Sequence, residues 1–210
     1  MRFGAAPFLA ALVLVGCGGP KGSQGGAVIV DSAGELGPDA SPGTAATLRL
    51  GGGDPAKPSK GAAAATEFDV VVAHRKQGTE VTVTLQVQGE TLEQEVYESS
   101  PEAFRLVTAT DDSFAPSIDL LRFPAREGAS WEWDGKVVYA GVSRPASATV
   151  TLSKHGEELL SAVHLKISAD PGRPELQRDL KFWFTKGKGV VRRSFGEVSS
   201  RRPAGDAWPL

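Results

Sequence analysis

The chain has 210 residues, 40% hydrophobic, 7% aromatic and 23% charged, with a formal net charge of −2. This length fits one domain with an appendage and excludes two large domains. The near-neutral charge argues against a nucleic-acid partner, and a single cysteine excludes an intramolecular disulfide and every multi-cysteine metal site.

Residues 1–16 read as a signal peptide. Arg2 is the one early charge, Phe8 to Val15 form an apolar run, and small residues follow. The run is too short to cross a bilayer core, which takes ~20 helical residues. Its exit, Leu14-Val15-Gly16-Cys17, resembles the lipobox of bacterial lipoproteins. The resemblance implies transfer of a diacylglyceryl group to the Cys17 sulfur, cleavage before Cys17 and acylation, as by palmitate, of the new amino group. Two or three acyl chains make a stable anchor, where one holds only marginally. The expected location is the membrane, with the protein facing the periplasm or the cell exterior. By resemblance to the enteric sorting rule, Gly18 after the cysteine directs the protein to the outer membrane of a Gram-negative cell.

Residues 17–65 follow as the lipidated cysteine and a tether. From Gly18 to Ala65 there are 12 Gly, 10 Ala and 5 Pro, and no aromatic. Such a stretch buries too little apolar surface to offset the entropy of ordering and is expected to be disordered. A random coil of this length spans ~40 Å. Two pieces, Ala27 to Val30 and Thr47 to Leu50, could instead pair locally or add an edge strand.

From Phe68 the texture changes to period-2 alternation, the mark of half-buried strands. Val81, Val83, Leu85 and Val87 share one face. Further strands are expected at 92–96, 104–107, 130–133, 136–142, 148–153, 158–167, 176–185 and 190–197. Short turns join them, among them Gln88-Gly89-Glu90, Lys154-His155-Gly156 and Lys186-Gly187-Lys188-Gly189. The best helix candidate, Ser113 to Phe123, is short and interrupted by Pro116. The expected fold is therefore mainly β with little helix: an antiparallel meander forming a curved sheet, an open barrel or a sandwich over 66–202, with 203–210 as a tail. A curved sheet needs a filler for its concave face, either large side chains, a bound ligand or a short loop.

Leu121-Arg122-Phe123-Pro124 with Gly128 and Trp131-Glu132-Trp133, and Phe182-Trp183-Phe184-Thr185-Lys186-Gly187-Lys188-Gly189-Val190-Val191-Arg192-Arg193, resemble a pattern of bacterial envelope proteins. Such domains are similar to the curved-sheet half barrels of the lipoprotein carrier and receptor pair (LolA-like and LolB-like). The resemblance implies a concave apolar face. Those carriers close it with helices, and this sequence offers none.

The chemistry-bearing residues are sparse. His74, His155 and His164 lack metal-ligand spacing, and neither a serine elbow, a phosphate loop nor a dinucleotide fingerprint occurs. Glu132 alternates with Trp131 and Trp133 and should face away from them, which removes a glycosidase-like carboxylate site. No cofactor, metal or catalytic residue is expected, and the chain is read as a non-enzyme. Residues 66–172 carry 9 Lys/Arg against 17 Asp/Glu, and residues 173–210 carry 9 against 4. These halves either attract each other across neighbouring strands or form a bipolar surface for anionic lipid, polysaccharide or an acidic partner. Two functions remain. One is a lipid-anchored module that binds an apolar ligand or lipid on a concave face of Trp131, Trp133, Leu180, Phe182 and Phe184. The other is a protein–protein interaction module in envelope assembly, without a ligand cavity and docking to an envelope protein.

Overall fold

The computed structural model describes residues 26–36, 40–50, 66–109, 111–139 and 141–198; for 40–50, 66–68 and 196–198 the description is of the backbone. The signal segment, Cys17 and residues 199–210 lie outside the described residues. The protein is mainly β. Strands β1 (Val28–Val30) and β2 (Ala40–Leu50) flank a 3-10 turn at Ala33–Leu36. Then come β3 (Thr66–Gln77), β4 (Glu80–Val87), β5 (Glu90–Ser99), β6 (Ala103–Ala109), β7 (Asp112–Arg122) and the two-residue β8 (Ala125–Arg126). The last five are β9 (Ser130–Tyr139), β10 (Val142–His155), β11 (Glu158–Ile167), β12 (Leu176–Thr185) and β13 (Gly189–Val198).

Eleven of these strands form one antiparallel sheet in near-sequential order, β2 to β7 and then β9 to β13, while β1 pairs only with β8. The sheet curls into a half-barrel, and one place makes it curl. β7 pairs with β9 only from Asp112 to Ala115. Beyond that point the two strands part, so the β9–β13 half folds over the β2–β7 half. The carbonyls left without a ladder partner are met by side chains. Indole N–H groups of Trp131 and Trp133 donate to Asp119 O and Pro116 O, each at 3.0 Å, and the Ser161 hydroxyl donates to Leu120 O at 2.7 Å. Gly135 sits in the same crossing. A Cβ there would lie 2.6 Å from Ala115 O and 2.5 Å from the Trp133 ring, closer than such atoms approach.

The core is the inner face of the curl. Tyr97 stacks on Phe104 and meets Phe182 edge-on, and Phe104 meets Phe184 edge-on at 5.6 Å. These contacts join β5 and β6 to β12, so the filler of the concavity is the protein's own large side chains.

Several expectations need correction. Part of the stretch read as a disordered tether is built into the fold. Val30 and Leu36 are buried in the core, Gly26 N donates to Glu127 O, and Gly187 N donates to Glu35 O. These two apolar side chains suffice because a preformed concavity receives them. The alternative reading of Thr47–Leu50 as an edge strand holds in a longer form, since β2 pairs with β3 from Ala40 to Leu50. A strand at a sheet edge is held through backbone bonds and does not require aromatic residues. The ordered unit thus begins near residue 26, not 66. Ser113 to Phe123, the best helix candidate, lies almost wholly in β7. The expected strands at 130–133 and 136–142 are one strand, β9, which runs through Gly135 and stops at Tyr139; Gly141, at φ 77°, makes the turn.

Candidate functional site

The five residues expected to line a concave ligand site all face inward and are buried: Trp131, Trp133, Leu180, Phe182 and Phe184. Their alternation with Lys181 and Trp183 is as the period-2 pattern requires. They pack against protein. Trp133 meets Phe114 edge-on, Phe182 meets Tyr97 and Phe195, and Phe184 meets Phe104. The two tryptophans also spend their N–H groups on β7. A cleft of about 60 Å³ runs along the seam where the two ends of the sheet approach, between Leu36, His74, Val81, Val83, Phe104 and Val190. It has room for only a few waters. None of the five expected residues lines it.

Across the concavity run two charged braces that the sequence reading did not find. Arg193 of β13 is in ion-pair contact with Glu95 of β5 and lies 3.7 Å from Glu93. Tyr97 donates its hydroxyl to the other Glu95 oxygen at 2.6 Å. Arg178 of β12 pairs with Asp112 of β7. Burial pushes the Glu95 carboxyl up, and Arg193 and the Tyr97 hydroxyl oppose this only in part. Burial likewise raises Asp112 against the pull of Arg178, and burial together with Arg193 lowers the His74 imidazole. The signal for these braces was the excess of acids over 66–172 and of bases over 173–210. The pairing of particular residues needed the curl. Arg144, a buried cation, donates to Ser168 O and Pro174 O and ties down the β11–β12 connection.

The outer face of the β9–β12 sheet carries the other polar array. Register places Glu132, Thr149, His164 and Asp179 in one row across four strands. Thr149 donates its hydroxyl to Glu132 at 3.0 Å, and the His164 Nδ1 and Asp179 Oδ1 atoms are 2.7 Å apart. Glu132 faces solvent, opposite the tryptophans, as the alternation requires. The next row runs Thr151, Ala162, Lys181. Ala162 is shorter than its neighbours, and a depression of about 210 Å³ lies over it. The row resembles a nucleophile–base–acid relay, but the Thr149 hydroxyl hydrogen is committed to Glu132 rather than to His164. Among the described residues no group of three or more His, Cys, Asp or Glu converges as a metal site, and no helix is long and apolar enough to cross a membrane. No protein-family model, curated protein or solved structure matches the chain.

Proposed function

We propose that the chain is a lipid-anchored module of the bacterial envelope, without catalysis, that works through the outside of its half-barrel by docking to another envelope component. The observation that carries this reading is the filled concavity. Phe182 and Phe184 are 0% and 1% exposed, and charged braces cross the space that a carrier would keep open. The inward face that resembles an apolar ligand site is thereby occupied by the core of the protein itself. The anchor reading rests on the lipobox at Cys17 and the apolar run before it.

The test uses an apolar fluorescent probe, 1-anilinonaphthalene-8-sulfonate, with the full-length chain and its Phe182→Ala and Lys181→Ala variants. The native chain is expected to show no saturable probe binding. Phe182→Ala should cost ~3–5 kcal/mol of stability, as for an aromatic in a packed core. Lys181→Ala should change stability by no more than ~0.5 kcal/mol. Saturable probe binding by the native chain, altered in Phe182→Ala at little cost in stability, would instead support an apolar ligand on the concave face.

A further inference from the structure

We propose that the depression over Ala162, on the outer face of the β10–β12 strands, is a binding site for a neutral saccharide. This goes beyond the docking reading by naming a ligand class and a place, and it stands whether or not Cys17 is acylated.

The site arises from side-chain size. Ala162 lies between Thr151 and Lys181 in register, with His164 on one side along its strand and Leu160 on the other. A single methyl among longer side chains leaves the depression of about 210 Å³, and the exposed surface that lines it is mainly apolar. That floor suits the C–H face of a sugar ring. The polar groups stand around its edge: the hydroxyls of Thr149 and Thr151, the Asp179 carboxylate with its His164 partner, and the Lys181 ammonium.

Charge decides the ligand class. An anion would be attracted by Lys181 but would meet Asp179, with Glu132 one strand beyond Thr149 in the same row. A cation would meet Lys181. A neutral polyhydroxyl ligand can donate to the carboxylate and to the Thr149 oxygen, accept from the ammonium and do either with the Thr151 hydroxyl. Asp179 also fixes the imidazole of His164, so one polar wall is oriented before a ligand arrives.

The experiment is a calorimetric and NMR titration of the purified full-length chain with maltotriose, cellotriose and tri-N-acetylchitotriose, with inorganic phosphate as the anion control. Saturable binding of at least one oligosaccharide, with movement of the His164 ring signals, is expected. Ala162→Phe fills the depression from the outer face and should weaken that binding at least about ten-fold, equivalent to ~1.4 kcal/mol. Thr151→Val, which removes a hydroxyl and keeps the β-branched shape, should weaken it as well, so the test survives a folding defect in Ala162→Phe. The proposal is overturned if none of the three sugars binds saturably. It is equally overturned if both variants bind as the native chain does, or if phosphate binds more tightly than the sugars.

Discussion

Glu95 is the residue at which burial and charge compete most sharply. It sits on β5 beneath Tyr97, faces Arg193 from the opposite end of the sheet, and has Glu93 beside it and His74 two strands away. Burial raises its carboxyl above the ordinary value of 4.5. The folded protein therefore holds this proton more tightly than the unfolded chain. That contribution to stability is fully present below the unfolded pKa and is lost as pH rises through the folded one. His74 works with the opposite sign. Its lowered pKa gives stability present above 6.5 that is lost as pH falls through the folded value. Melting temperature followed against pH should show the first effect flattened in Glu95→Gln and the second flattened in His74→Gln. An unchanged profile in Glu95→Gln would show that the carboxyl does not titrate as its burial requires. Arg193→Ala is the harsher change, because it leaves Glu95 buried without its cation. It is expected to cost ~3–5 kcal/mol in a denaturant titration. Trp131→Phe keeps an aromatic side chain but removes the N–H that serves Asp119 O and part of the indole's volume, so a loss of at least ~1–3 kcal/mol is expected there.

At the scale of elements, the strands were legible wherever one face is apolar and the other polar. The spans 158–167 and 176–185 are those of β11 and β12, because Leu159, Val163 and Leu165, and Leu180, Phe182 and Phe184, alternate with solvated residues. Legibility failed where a segment depends on what receives it. Val28 to Leu36 has no alternation long enough to stand out from its Gly/Ala-rich surroundings. It is ordered because the open end of the half-barrel offers Val30 and Leu36 a place, and because Lys186 of the β12–β13 turn pairs with Glu35 at 2.8 Å. That pair holds the Glu35 carboxyl below its ordinary value. The outer-face site was legible only in part: alternation placed Glu132 outward, but which residues are neighbours depends on strand register, which no single strand encodes. The tryptophans were read as apolar lining, and their N–H groups turned out to serve the parting of β7 and β9. The segment yields its own prediction. Leu36→Ala should cost ~2–4 kcal/mol, a core truncation in a stretch whose composition reads as linker. Lys186→Ala, at an exposed pair, should cost no more than ~1 kcal/mol. A negligible loss for Leu36→Ala in thermal or denaturant unfolding would return residues 26–36 to the tether.

At the scale of the whole molecule, the proposed attachment to a membrane has two candidate causes, acyl chains and charge. The sequence separates charge, with a net −8 over 66–172 (9 against 17) and +5 over 173–210 (9 against 4). Read along the chain, the basic end looks able to meet an anionic lipid surface. Folding spends much of that charge internally. Arg178 meets Asp112, Arg193 meets Glu95 and Glu93, Arg192 meets Glu158, and Lys186 meets Glu35. Each Lys or Arg free at an anionic surface would add ~1 kcal/mol of attraction, and partnered cations add less. These pairs lessen the pull of the basic end on an anionic surface, and the attachment is expected to rest on the acyl chains of Cys17. Cys17→Ser should therefore move the protein from the membrane fraction to the soluble fraction, and it should do so at low as well as high salt. Fractionation at two ionic strengths separates the causes. Retention of Cys17→Ser at the membrane in low salt and release in high salt would assign the attachment to charge, including Arg201 and Arg202 beyond the described residues. Retention at both would assign it to a protein partner, and the lipobox reading would fall.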